Sequence, residues 1–187
     1  MKLFLDRFIA MSTDEYDQFI GLAKTRKLER GDFLLQAGSS VDKLFFIKSG
    51  IIRGYRIING EDITHHFFIE DWLATDYVSY LTQEPGELYL ECLTEVKLYE
   101  FKKKDIRLFY SVNSKFEKLR YIQAEDAFLQ MVERLKDFQT KNLKERYLNL
   151  ITKNPKLFNQ VPQKYIASFL GVKPQSLSRI KDSIKSV

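Results

Sequence analysis

One stretch near the C-terminus decides the fold: Gln163-Lys-Tyr-Ile-Ala-Ser-Phe-Leu-Gly-Val-Lys-Pro-Gln-Ser-Leu-Ser-Arg-Ile-Lys-Asp-Ser-Ile184. A helix-turn-helix needs a small residue where its two helices cross and a residue that tolerates positive φ in the turn. Ala167 meets the first requirement, and Gly171, four residues later, meets the second. Pro174 suits the first turn of the second helix, where its missing N–H costs nothing. The stretch therefore predicts a helix-turn-helix.

The second helix of this motif has an apolar face and a polar face. Its apolar residues pack onto the first helix in a small expected core, namely Ile166, Leu170, Val172, Leu177, Ile180 and Ile184. On the other face, glutamine suits adenine edges and arginine suits guanine edges in the major groove, whereas lysines suit phosphates. The predicted DNA-binding residues are Gln175, Ser178, Arg179, Lys181, Lys185 and Lys173. The alternative is an ordinary helical hairpin.

The charge distribution agrees with a DNA-binding segment at this end of the chain. Residues 141–187 carry ten Lys and Arg against two acidic residues, a balance of +8, although the whole chain of 187 residues has a net charge of only +5. The preceding residues are therefore acidic overall. A basic segment attached to an acidic body is typical of a polyanion-binding module, although chance asymmetry of a solvated surface would give the same balance.

A long helix is predicted before this segment, with two separate apolar stripes. One stripe is a heptad seam formed by Tyr121, Ala124, Phe128, Met131, Leu135 and Phe138. The other consists of Leu119, Ile122, Leu129 and Val132. A helix that only covered a β-domain would need one apolar face, so the seam predicts a homodimer in which a second copy covers it. The alternative is a helix wedged between two domains of one chain.

The region from residue 27 to about 101 has the pattern of a β-domain. Short runs rich in Phe, Ile, Tyr and Leu are separated by glycines, and Asn59-Gly60 indicates a type I′ hairpin. A short helix is expected between Trp72 and Leu81. Before this region, Ser12 and Glu15 form a capping box that predicts a helix over residues 13–26.

These patterns predict an α+β chain with three segments. Residues 1–112 would form a jelly-roll-like β-roll (a double-stranded β-helix), 113–139 the dimerisation helix, and 140–187 an all-α helix-turn-helix domain. No run approaches eighteen apolar residues, and charge interrupts the first seven residues too early for a secretory segment. We expect a cytoplasmic protein.

The whole chain resembles the catabolite-activator/fumarate-nitrate regulator (Crp/Fnr) superfamily. The stretch Leu28-Glu-Arg-Gly-Asp-Phe-Leu-Leu-Gln-Ala-Gly38 is similar to the opening β-roll signature of that family, and Phe46-Ile-Lys-Ser-Gly-Ile-Ile-Arg53 to the second. The resemblance implies a transcriptional regulator that binds a roughly palindromic DNA site as a homodimer. Two departures predict a reduced DNA-binding module: no β-hairpin wing follows Ile184, and Lys173 stands where Ser or Thr would cap better.

The resemblance also implies a degenerate effector pocket formed by Ala74, Thr75, Asp76, Glu87 and Leu88. Relatives that bind cyclic AMP use a cassette with an Arg for the phosphate and a Glu for the ribose. Here Phe68 to Val96 contains seven acidic residues and no Lys or Arg. Because an unpaired buried phosphate beside carboxylates is costly, we predict that cyclic AMP does not bind tightly, unless Arg53, Arg56 or a histidine reaches in from other strands.

Other functional classes are weaker candidates. His65-His66 with Glu70 suggests a cupin-type metal enzyme, but neighbouring strand residues point to opposite faces, which prevents joint chelation. Cys92, the single cysteine, lacks a nearby activating base and is expected to be a core residue. We therefore predict no enzymatic activity, no metal and no cofactor. The main alternative is a sensory β-roll whose C-terminal helices bind a protein partner.

Overall fold

The computed structural model describes residues 1, 5–6, 9–112 and 114–185 and shows an α+β chain built on a β-roll. The roll consists of two four-stranded sheets whose strand orders are β1-β8-β3-β6 and β2-β7-β4-β5, with every neighbouring pair antiparallel. The strands are β1 (Lys24–Leu28), β2 (Phe33–Leu35), β3 (Lys43–Ser49), β4 (Ile52–Ile58), β5 (Glu61–Phe68), β6 (Leu73–Ala74), β7 (Tyr89–Cys92) and β8 (Val96–Lys102).

Helices lie before, within and after the roll. They are α1 (Thr13–Gly21), α2 (Tyr77–Thr82), α3 (Lys103–Val112), α4 (Ser114–Thr140), α5 (Leu143–Lys153), α6 (Pro155–Gln160), α7 (Gln163–Phe169) and α8 (Pro174–Lys185). In the described part of the chain, none of them combines the length and the apolar character that crossing a bilayer requires.

The space between the two sheets is filled by apolar side chains. Because strand residues alternate between the two faces of a sheet, every second residue of β3, β4, β7 and β8 points inward. The resulting cluster comprises Leu28, Phe45, Ile47, Ile52, Ala74, Leu88, Leu90, Cys92, Val96 and Leu98. A second cluster, which includes Phe19, Phe46, Phe101 and Ile106, joins α1 and α3 to the roll.

Local sequence motifs formed as predicted. Asn59 and Gly60 adopt φ values of 53° and 82°, which join β4 to β5 in a tight hairpin with Ile58 opposite Glu61. The Ser12–Glu15 capping box is present at the start of α1. The expected short helix between Trp72 and Leu81 is α2, which extends one residue further to Thr82.

The predicted extent of the first helix was wrong. The helix was expected over residues 13–26, but it ends at Gly21, and Lys24–Leu28 forms β1. This strand pairs with β8 along its whole length, and Arg26 donates to the buried carboxylate of Glu100 at 2.8 Å. Pairing between residues 68 to 76 positions apart outweighs the helical pattern, because helix propensity is only a weak local preference.

The turn between β3 and β4 requires glycine at position 50. Gly50 has φ 99°, and a Cβ placed there would lie 2.3 Å from the carbonyl oxygen of Glu95. We expect Gly50→Ala to lower the free energy of unfolding by about 3 kcal/mol or more, since it combines backbone strain with a backbone clash. Urea denaturation would measure this loss.

The matched control is Gly60→Ala. Gly60 also has positive φ, 82°, but its added Cβ would have nothing within 4 Å. Only the conformational strain of about 1–2 kcal/mol is then expected. Equal losses for the two variants would contradict the steric role of Gly50.

Candidate nucleic-acid interface

Helices α7 and α8 form the helix-turn-helix that the sequence predicted. Ala167 lies at their crossing and is fully buried, and Gly171 adopts φ 72° in the turn. Ile166, Leu170 and Leu177 are buried, whereas Val172, Ile180 and Ile184 are partly buried around them. The predicted small core is therefore present as described.

The polar face of α8 is open to solvent. Gln175, Ser178 and Arg179 are all exposed, and at 100° per residue they lie within one sector of about 100°. Such a face fits the width of a major groove, which admits an α-helix. The three residues predicted to contact base edges therefore share one accessible surface.

The predicted lysines differ in their surroundings. Lys173 is exposed just before α8, and its carbonyl oxygen accepts hydrogen bonds from the N–H groups of Ser176 and Leu177. Lys181 is half-buried, with its ammonium 5.0 Å from the centre of the Phe158 ring in α6. The backbone of Lys185 belongs to α8, but its side chain lies outside the described residues.

The helix-turn-helix packs directly on the outer face of the β2-β7-β4-β5 sheet. The buried apolar cluster that forms its core also includes Ile51, Phe67 and Leu93 of the roll. Helices α5 and α6 complete the same cluster through Tyr147 and Leu157, both buried. Sequence patterns gave no indication of this shared core, because the three roll residues looked like ordinary strand positions.

The predicted effector residues are gathered near α2, and Glu87 also lines an open surface groove. Ala74 and Leu88 belong to the packed interior of the roll. The hydroxyl of Thr75 donates to the carbonyl oxygen of Lys43 at 2.8 Å. Asp76, a buried residue, provides the N-cap of α2 by accepting the N–H of Ser79.

The Asp76 carboxylate also accepts two hydrogen bonds from the opposite loop. The backbone N–H groups of Glu87 and Leu88 both donate to Oδ2, each at 3.2 Å, while the N–H of Ser79 reaches Oδ1 at 3.3 Å. A Cβ on Gly86 would lie 2.7 Å from the same Oδ2. A set of backbone donors at a helix N-terminus suits an anion, and here the chain supplies that anion itself.

Of the arginines that could reach a ligand, Arg56 pairs with Glu87 of the predicted effector residues, whereas Arg53 has partners elsewhere. Arg53 lies on the outer face of its strand, where it pairs with Asp62 at 3.0 Å. Arg56 lies 3.4 Å from the exposed carboxylate of Glu87, beside an open surface groove of about 530 Å³. Neither guanidinium approaches the Asp76 carboxylate through a hydrogen bond or ion pair among the described residues.

The two histidines have different surroundings. The ring of His66 packs on Phe68 and Trp72, while His65 is exposed. Burial of the ring lowers the pKa of His66 to about 3. Within the described ranges, no three His, Cys, Asp or Glu residues are placed to hold a metal ion.

Cys92 lies in the roll interior, as predicted. Its side chain is fully buried, and burial raises the pKa of the thiol to about 12. Since the thiolate is the nucleophilic form of cysteine, this residue acts as a small core side chain.

The long helix α4 exposes its heptad seam in the protomer. Met131 is 64% and Leu135 59% exposed, and Tyr121 and Phe128 are similarly open, while Ala124 is intermediate. In the second stripe, Leu129 and Val132 are exposed as well. The side chains of Leu119 and Ile122 lie outside the described residues.

Comparison with known proteins supports this architecture. Residues 25–113 match the family profile described as Cyclic nucleotide-binding domain. No curated protein sequence matches the chain at a significant level.

Solved structures of regulators superpose on most of the chain. CLP, a c-di-GMP responsive global regulator of Xanthomonas campestris, matches with a TM-score of 0.73 at 12% identity and covers 94% of this chain and 92% of its own. FixK2 from Bradyrhizobium japonicum matches with a TM-score of 0.74 at 11% identity, covering 88% and 85%. The catabolite activator protein of Thermus thermophilus gives 0.58 at 17% identity, covering 96% and 86%.

Proposed function

We propose that this protein is a DNA-binding transcriptional regulator, because residues 25–113 match the cyclic nucleotide-binding domain profile and the chain has the fold of the solved CLP and FixK2 structures. The observation that carries the proposal is the exposed face of α8, where Gln175, Ser178 and Arg179 lie side by side. The basic balance of residues 141–187 supplies the charge that a phosphate backbone attracts.

The exposed seam of α4 supports a homodimer as the DNA-binding form. Monomeric proteins rarely expose a contiguous apolar strip of this length, and a two-fold symmetric pair of helices would bury the seam against itself. In such a dimer, the two copies of α8 meet successive major grooves about 34 Å apart and recognise a roughly palindromic site.

We also propose that cyclic AMP does not bind this regulator tightly. The Asp76 carboxylate holds the backbone N–H groups of Ser79, Glu87 and Leu88, so a phosphate would have to displace a buried anion. The stretch from Phe68 to Val96 provides no cation to compensate for the phosphate charge. Leaving two anions unpaired in a buried site costs several kcal/mol, on the order of the buried-charge penalty.

We propose no catalytic activity for this protein. The thiol of Cys92 is buried and protonated, and the neutral imidazole of His66 is enclosed by Phe68 and Trp72. As a protein that acts on DNA, the regulator is expected in the cytoplasm.

DNA binding is tested by fluorescence anisotropy with random duplex DNA at several salt concentrations. Affinity should fall steeply with salt, because bound lysines and arginines release counterions. If the C-terminal helices instead bind a protein partner, random duplex DNA will show no salt-dependent binding.

Two variants separate base recognition from phosphate binding. Arg179→Ala should cost about 1–3 kcal/mol on a selected site and relax base preference, while Lys181→Ala should weaken all sequences alike and lower the salt slope. An equal loss on selected and random DNA for Arg179→Ala would remove Arg179 from the base-contacting set.

The dimer is tested by placing a charge in the seam. Leu135→Glu should convert the dimer to monomers, since it removes a buried leucine worth about 2–5 kcal/mol and brings like charges together. Sedimentation velocity measures the change. Leu129→Glu, a similarly exposed position about 120° away from Leu135 on the helix, should leave the dimer intact. A wild-type chain that sediments as a monomer at all concentrations would refute the dimer.

The effector prediction is tested by calorimetric titration of the full chain with cyclic AMP. We expect no binding heat at micromolar ligand concentrations, because the donors that would take the phosphate are occupied by Asp76. Micromolar affinity for cyclic AMP would show that the prediction is wrong.

A further inference from the structure

Two aromatic side chains on α7 each face an arginine from a different part of the molecule. Tyr165 and Phe169 are four residues apart, so they lie on one face of the helix. The guanidinium of Arg53 lies 3.7 Å from the centre of the Tyr165 ring, and that of Arg134 lies 4.3 Å from the centre of the Phe169 ring. We call these contacts the two cation–π pairs.

Arg53, in β4 of the roll, is held rigidly in place. Its side chain is 1% exposed, its Nε donates to the hydroxyl of Thr64 at 2.9 Å, and its Nη1 donates to the carboxylate of Asp62 at 3.0 Å. The guanidinium also lies 4.3 Å from the centre of the Tyr55 ring. Such a buried and hydrogen-bonded guanidinium gives α7 a contact at a fixed position on the roll.

Arg134 reaches the same helix from α4. It donates to the carbonyl oxygen of His65 in β5 and, at 3.4 Å, to that of Phe169 at the end of α7. One side chain therefore joins the long helix, the roll and the helix-turn-helix. Between the two cation–π pairs, the N–H of Thr64 donates to the hydroxyl of Ser168 at 2.8 Å, which ties β5 directly to α7.

We propose that the two cation–π pairs set the orientation of the helix-turn-helix relative to the roll and the long helix, so that Arg53 and Arg134 are positioning residues for DNA binding. This inference rests on the proposed function. A dimer binds a palindromic site only when both copies of α8 are held at the groove spacing. A helix-turn-helix that tilts on its support must be ordered on binding, and that ordering lowers affinity.

The planar guanidinium explains why both positions hold arginine. Arginine stacks on an aromatic face and donates sideways at the same time, whereas a lysine ammonium cannot do both. Arg53→Lys and Arg134→Lys therefore keep the charge and remove the stacked contact.

The first experiment measures DNA affinity of full-length variants on selected and random duplexes. Tyr165→Leu and Phe169→Leu should each lower affinity about 5- to 20-fold on both duplexes, with base preference and salt slope unchanged because neither residue is placed to touch DNA. Tyr165→Phe keeps the ring and should bind like wild type. Arg56→Lys, in the same strand as Arg53 but paired with Glu87, is the matched arginine control.

A double-mutant cycle distinguishes loss of the contact between Arg53 and Tyr165 from general destabilisation of the fold. Arg53→Lys combined with Tyr165→Leu should lose no more affinity than the more damaging single variant, because both remove the same contact. Full additivity of the two losses, or wild-type affinity of Tyr165→Leu, would overturn the proposal.

Amide hydrogen exchange separates failure of this inference from failure of the proposed function. Arg134→Lys should speed exchange of the Thr64 amide, which bonds to Ser168, but not of the Leu170 amide, which bonds within the helix to Ile166. Unchanged exchange at Thr64 would refute the positioning role even if DNA binds. Faster exchange at Thr64 in a chain that binds no DNA would retain the positioning role and refute the regulator.

Discussion

The apolar contact between the roll and the helix-turn-helix is the constraint on which the rest of the structure depends. Helix α7 has only seven residues, far fewer than an isolated helix needs to be stable in water. It forms because Ile166 and Ala167 are buried against a cluster that includes Ile51 and Phe67 of the roll. The contact with the roll therefore sets the orientation of the exposed face of α8, which the helix-turn-helix motif alone does not determine.

The structural features predicted correctly from the sequence are those that a few adjacent residues determine. Gly171 in the turn, the Asn59-Gly60 hairpin and the Ser12 capping box each depend on conformational preferences of a few adjacent residues. The helix-turn-helix followed from such preferences combined with apolar spacing. Its outward face, including Arg179, could be identified because solvent exposure is the complement of the apolar stripe.

Structural elements that depend on residues far away in the chain could not be predicted from the local sequence pattern. Residues 22–26 were assigned to a helix although β8, far along the chain, draws Lys24–Leu28 into a sheet. The polar contacts of α4 with the rest of the chain were not predicted either: Arg134 donates to the carbonyl oxygen of His65, and the side-chain amide of Asn149 donates to the carboxylate of Asp137. Burial lowers the pKa of the Arg134 guanidinium from its ordinary value, yet arginine stays charged at any physiological pH. The spacing of apolar residues in a sequence cannot predict an interface that an arginine forms.

The site around Asp76 shows how an anion-binding framework can persist without an external anion. Three backbone N–H groups converge there, and burying them without an acceptor would cost more than a typical net hydrogen bond contributes. The carboxylate of Asp76 satisfies all three donors at once, while the packed interior around Leu88 and Leu90 leaves the roll filled. Because the outer face of the roll supports α7, the helix-turn-helix is held with the polar face of α8 exposed.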